Sequence, residues 1–246
     1  MEKIVSFTDP ERTGNIARTA GLFDLIYYII THDTGEVLDE YPFERVWSII
    51  SDYVWQGEYK PVELSVIKRD NDKDLALHMV NTAIYSCMLA ERTGEDVFSA
   101  CATGLFHDIG KKYIPSDILY KPGKLTEDEW KVIEGHPITS KIILDTLYPE
   151  FDQDIANAVL FHHEMVSGQG YPYGISEKGL NAYARIVAIA DTIDAATAES
   201  RTYHRRKSIP EAIAIIKDKY HYDPFLARVM ANALSERDPE KLMETM

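Results

Sequence analysis

The sequence predicts an all-α protein, and three observations carry that expectation. Apolar residues recur at helical spacing through most of the 246 residues. No run of alternating β-branched residues is bounded by hairpin turns. No internal repeat or low-complexity segment interrupts the pattern. The composition, 45% apolar and 27% charged, is that of an ordinary folded chain with a sizeable core. This length accommodates one large domain, or one domain with a small appendage.

Taken in order, residues 19–30 read as a helix, closed by the turn at Thr31, His32, Asp33, Thr34 and Gly35. Residues 43–53 form a second helix, with Val46, Trp47, Ile49 and Ile50 at helical spacing. Pro61 opens a short third helix through residue 67. Residues 1–65 are therefore expected to be an N-terminal helical segment used for packing or dimerisation, and 66–246 the main domain. Residues 74–92 read as a long helix stopped by Gly94. Asp96 caps the next helix, which ends near Gly110. Pro115 and Lys121-Pro122-Gly123-Lys124 mark a loop. Thr126 with Glu129 is a capping box, so 127–134 is helical. Pro137 starts the helix that runs to Leu147, and 154–163 is the next, broken by Gly168, Gly170 and Pro172. Residues 181–199 form a further helix, followed by a basic stretch at 201–207 and two short helices.

Bulk properties narrow the function. A net charge of −14 argues against non-specific binding of DNA or RNA, which needs a basic surface. A small phosphate ligand stays compatible, because metals and a few cations make a local positive pocket. The longest apolar run, residues 25–30, is far short of the roughly 20 residues of a membrane span. The first residues lack a basic region followed by an apolar stretch, so a cytoplasmic location is expected. Cys87 and Cys101 sit in apolar helical patterns and read as reduced core thiols.

The chemistry concentrates in four fragments: His107-Asp108, His136, the doublet His162-His163, and Asp191. Buried ionisable groups are costly unless paired or metal-bound. Asp191 shares a helix face with Ala184, Val187, Ala188 and Ala195, so its carboxylate requires compensation from an ion pair or a cation. His162 and His163 project about 100° apart on a helix, and both reach one cavity only if it lies between their directions. Lys111 follows His107 by one helical turn. Asp108 is the natural bridge, since one carboxylate offers two oxygens. His78 has Asp74 one turn before it and, taken singly, reads as half of a surface pair. Imidazole and carboxylate without thiolate suit iron, manganese or zinc. Two such ions a few ångströms apart activate water and clamp the oxygens of a phosphate ester.

The ordered set resembles the HD-GYP subgroup of the HD-domain metal-dependent phosphohydrolases. The likeness is carried by His107-Asp108-Ile109-Gly110-Lys111, the Ile118 to Leu125 block, His136-Pro137, and His162-His163-Glu164 through Gly170-Tyr171-Pro172. Ala184-Arg185-Ile186 with Asp191 and Asp194-Ala195, and Arg201-Thr202-Tyr203, continue it. It covers roughly residues 66–230. The resemblance implies an HD-domain helical bundle with two divalent transition-metal ions, iron or manganese ahead of zinc. One would be held by His78, His107, Asp108 and Asp191; the other by Asp108, His136, His162 and His163. It further implies that a hydroxide between the metals attacks the phosphorus of a cyclic dinucleotide, and that Asp108 and Lys111 serve the reaction. Lys111, Gly170, Tyr171, Pro172, Arg201 and Arg205 would contact the substrate. The family opens c-di-GMP to linear pGpG and in some members on to GMP, while other members prefer cGAMP. A different nucleotide substrate, or a dinucleotide- or protein-binding signalling module with little turnover, are the alternatives. The N-terminal helices would then serve a homodimer or a signalling partner.

The chain departs from the family pattern at four places. Asp74 stands where Glu is common, a position tied to a third metal or to support of the pair. Ser167 replaces the Asp before the first Gly of the loop, Ser140 replaces the Gly after His136-Pro137, and one extra residue separates Asp191 from Arg201. Asp194 is expected to orient a ligand or to cap the packing near Asp191.

Overall fold

The computed structural model describes residues 71–147, 152–198 and 206–235. The helices expected at 19–30, 43–53 and 61–67, the boundary near residue 65 and the partner role of 1–65 lie outside the described residues.

The elements run α1 (Asn71–Thr93), α2 (Val97–Phe106), a 3-10 turn (Ile109–Tyr113), α3 (Ser116–Leu119), α4 (Glu127–Glu134) and α5 (His136–Leu147). They continue as α6 (Gln153–Phe161), a 3-10 turn (Glu177–Gly179), α7 (Ala182–Thr197), α8 (Ile209–Ile216) and α9 (Pro224–Ser235). Among the described residues there is no strand, only an isolated antiparallel bridge between Ser167 and Ser176. The all-α expectation holds.

Local side-chain chemistry starts these helices where the sequence marks them. The Asp96 carboxylate accepts from Ser99 N–H at 2.8 Å, and Asn181 Oδ1 accepts from Ala184 N–H at 3.0 Å. Thr126 with Glu129, and Ser208 with Glu211, form complete capping boxes. Two helices end earlier than the apolar pattern suggests: α2 stops at Phe106 and α6 at Phe161. His107 and His162 occupy the C-cap positions and are not mid-helix residues. Pro115 caps a one-turn helix inside the stretch expected to be loop. Its fixed φ is already near the helical value.

Helix α1 lies at the centre, against α2, α7 and α9, while α7 also packs on α6 and α8. Met79, Met88 and Leu89 of α1 meet Leu105, Ile186 and Ile189 in one core, all fully buried. Each such side chain contributes about 1.5–3 kcal/mol. Cys87 and Cys101 are free, buried and hydrogen-bonded to each other across α1 and α2, as reduced core thiols should be. No helix among the described residues is long and apolar enough to cross a membrane.

Candidate metal centre

The ends of α2 and α6, the start of α5, and the middles of α1 and α7 converge on one volume. His78 projects from α1, His107-Asp108 follow α2, His136 opens α5, His162-His163 follow α6, and Asp191 comes from α7. The neighbouring imidazole rings lie 4.1 to 5.3 Å apart. Two groups form. Ligand atoms of Asp108, His136, His162 and His163 lie within 4.8 Å of one another, and so do those of His78, His107 and Asp191. Asp108 stands between the groups. Its Oδ1 is 3.0 Å from His136 Nε2, and its Oδ2 is 3.4 Å from both His78 Nε2 and His107 Nε2. His/Asp clusters able to bind metal are therefore present, and His78 is one of their members and not a surface residue. His78 is buried, and its partner is Asp194, 116 residues away.

The histidines share an orienting device. His107 Nδ1 donates to Gly104 O, His136 Nδ1 to Ile133 O and His162 Nδ1 to Val159 O, each at 2.7 Å and each three residues back. These carbonyls belong to last turns of α2, α4 and α6, which have no amide partner within their helix. A carbonyl only accepts, so Nδ1 carries the proton and Nε2 of the neutral ring presents its lone pair to the cluster. His78 Nδ1 donates to Asp194 Oδ2 at 2.7 Å, which turns its Nε2 toward Asp108 and Asp191. Asn81 Nδ2 donates to the other oxygen of Asp194 at 2.9 Å. Of the two roles open to Asp194, orienting a ligand or capping the packing near Asp191, its bond to His78 matches the first.

Electrostatics fit a cation host. His136 Nε2 and His162 Nε2 face each other at 3.3 Å. His78 Nε2, His107 Nε2 and Asp108 Oδ1 have no hydrogen-bond partner among the described residues. Each orphaned buried atom ordinarily costs about 1–3 kcal/mol, so several aimed at one volume indicate a positive ligand. Burial raises the Asp108 carboxyl, but Lys111, His107, His136 and His78 together hold it well below the usual range. Asp191 is held low likewise, chiefly by His78 against its own burial. Burial drives the His163 imidazole down to about 3 against the opposing pull of Asp191, and His162 is also held low by burial. His78 moves the other way: burial pulls it down, but the surrounding carboxylates of Asp108, Asp191 and Asp194 outweigh that and raise it to about 10.

Lys111 lies in the 3-10 turn and donates to Asp108 Oδ2, so it pairs with the neighbouring carboxylate instead of sharing a helical face with His107. The turn is pinned to α5: Gly110 N–H donates to buried Ser140 Oγ at 2.8 Å. A Cβ at Gly110 would overlap the His136 carbonyl and Ser140. Gly170, Tyr171 and Pro172 lie in the loop beside the doublet, and the Tyr171 ring stacks on His163 at 4.7 Å. Burial raises the Tyr171 hydroxyl, with Asp108 and Asp191 adding to the shift. Arg201 and Arg205 lie outside the described residues, as does the Asp74 side chain. Glu164 was not singled out from the sequence. It is buried and accepts from Tyr173 N–H at 2.7 Å and Ile175 N–H at 2.9 Å. Its place directly after the doublet was the only available signal.

Comparison with known proteins points the same way. The profile of the HD-domain family matches residues 62–226. A cyclic di-GMP phosphodiesterase of Pseudomonas aeruginosa is 32% identical over 181 residues, which are 71% of this chain and 43% of that protein. A 3′3′-cGAMP-specific phosphodiesterase of Vibrio cholerae is 33% identical over 163 residues, 64% of this chain and 35% of that protein. The chain thus spans less than half the length of these relatives. Among solved structures, an HD-GYP-type protein of Bdellovibrio bacteriovorus has the same fold, with a TM-score of 0.66 and 19% identity over 93% of this chain and 75% of that one. With the family profile spanning most of its length and the His-Asp pair at the centre of the helical bundle, this chain belongs to the HD-domain family.

Proposed function

We propose that the chain is a metal-dependent phosphodiesterase that hydrolyses a cyclic dinucleotide, c-di-GMP first. The observation that carries this is the convergence of the two ligand groups on Asp108, with His78 Nε2, His107 Nε2 and Asp108 Oδ1 buried and without a hydrogen-bond partner among the described residues. Residues His78, His107, Asp191 and Asp108 would hold one divalent cation, and Asp108, His136, His162 and His163 a second. Iron or manganese suits this set best. The pair would supply Lewis acidity and an activated water. Asp108 would position both ions, and the Nδ1 bonds of His78, His107, His136 and His162 direct their Nε2 atoms into the site. Lys111, only partly exposed and paired with Asp108, would offer its ammonium to the scissile phosphate and stabilise developing charge. Tyr171 and Pro172 border the opening from the side of His163, and Arg201 and Arg205 contact the nucleotide. Asp74 supports the pair or a third ion. We place the activity in the cytoplasm.

The relatives named as phosphodiesterases of cyclic di-GMP and of 3′3′-cGAMP support the substrate class. The experiment is hydrolysis of c-di-GMP and cGAMP by protein purified anaerobically with iron or manganese. The expected products are linear pGpG and then GMP. No turnover of either cyclic dinucleotide by fully metal-loaded protein overturns the proposal.

A further inference from the structure

His163 is held unlike its neighbours. His107, His136 and His162 are each fixed by a carbonyl three residues back, and His78 by Asp194. The ring of His163 instead lies against the Tyr171 ring, with centroids 4.7 Å apart and planes 30° from parallel. Tyr171 belongs to the loop between α6 and α7, and Tyr171 N–H donates to the His163 carbonyl at 3.2 Å. Gly170 makes this approach feasible, because a Cβ there would overlap the His163 carbonyl, Glu164 Cα and Met165 N. The loop is closed on itself by the two amide bonds to Glu164, one oxygen taking Tyr173 N–H and the other Ile175 N–H. Ser167 N–H donates to Tyr220 O at 3.1 Å, which anchors the loop's outer edge.

We propose that Glu164 is a positioning residue that sets the His163 ring at a distance, by bracing the loop that presses Tyr171 against it. Its part in cation binding rests on the metal reading above; the bracing itself does not. A buried carboxylate accepting two amides fixes two backbone points of the loop, Tyr173 and Ile175, on either side of Gly174. The same residue is joined through the chain to His163, so loop and ligand share one rigid piece. A glutamine of equal size keeps one amide bond and turns its own N–H₂ toward the other N–H, which opens the brace without emptying the site.

Two measurements test this on the 246-residue chain. In metal-free protein, the nitrogen-15 spectrum of the imidazoles reports ring order. Glu164→Gln should shift and broaden the His163 signals while those of His107 and His162 stay in place. Manganese titration of the same samples should show one of two binding steps weakened by about tenfold in Glu164→Gln, the same step in Tyr171→Ala, and the other step unchanged. The double variant should match Tyr171→Ala, because both act along one path, and Tyr171→Phe, which keeps the ring stack, should bind as wild type. Unchanged His163 signals in Glu164→Gln, equal loss at both steps, or additive loss in the double variant overturns the proposal. Wild-type protein that takes up no manganese overturns the metal reading, while the ring spectrum still decides the brace.

Discussion

Removing the Asp194 carboxylate should uncouple His78 from the bundle. Asp194 is 3% exposed and lies between His78 Nδ1 at 2.7 Å and Asn81 Nδ2 at 2.9 Å. Asp194→Ala takes the acceptor from both. Losing the outer partner of a ligating imidazole lowers metal affinity by about 10–100-fold, or about 1.4–2.7 kcal/mol. Leaving a buried donor unpaired costs about 1–3 kcal/mol more in folding. In a domain of this size each kcal/mol lowers Tm by about 2–4 °C. Asp194→Asn separates the effects. It fills the same space and accepts one of the two bonds, while its N–H₂ opposes the other donor, so it should fall between wild type and Ala in affinity with less loss of Tm. The assay is manganese titration of chelator-treated protein beside thermal unfolding. Asp194→Ala that melts early yet binds manganese as tightly as wild type would refute the reasoning, because Asp194 would then serve packing and not the ligand.

Other expectations follow from the same geometry. Asp108→Ala should abolish turnover and strip metal, while Lys111→Ala should lower turnover with metal largely retained; equal metal loss by elemental analysis in both would undo the role given to Lys111. Ser140→Ala leaves the buried Gly110 N–H without its acceptor and should cost about 1–3 kcal/mol, read as the midpoint of urea unfolding. The metal-free protein should be most stable near neutral pH. His78 is raised to about 10, so its contribution is complete below about 6.5 and is lost as pH rises toward 10. His163 is lowered to about 3, so its contribution is present above about 6.5 and is lost as pH falls toward 3. Melting curves from pH 3 to 10 check both arms, and a flat alkaline arm would contradict the His78 network. Manganese uptake near pH 7 should release a proton from His78, measurable as buffer-dependent heat.

Much of the fold was legible because local chemistry sets it. Asp96 and Thr126 announce helix starts, Asn181 begins another, and the side chains of all three make those caps. The helix ends were harder. Val159, Leu160 and Phe161 continue an apolar period that gives no warning of the stop at Phe161. Only the imidazole of His162, folded back on Val159 O, shows how the exposed carbonyl is satisfied. Among site residues, the pattern of His and Asp blocks was readable in order but not in space. The bond of His78 to Asp194 spans 116 positions, a contact that sequence spacing cannot report. Glu164 went unweighed for a related reason: its partners are backbone amides, which carry no signature in the residue names of Tyr173 and Ile175.

The carbonyl-tethered histidines have an evolutionary corollary. Since His107, His136 and His162 are each aimed by a segment immediately upstream, each of these three donors is a self-contained cartridge. Lengthening a connecting loop moves whole cartridges without altering which nitrogen is bare. Descendants of such a bundle can therefore retune the spacing between cations through helix placement and leave the aim of each donor untouched.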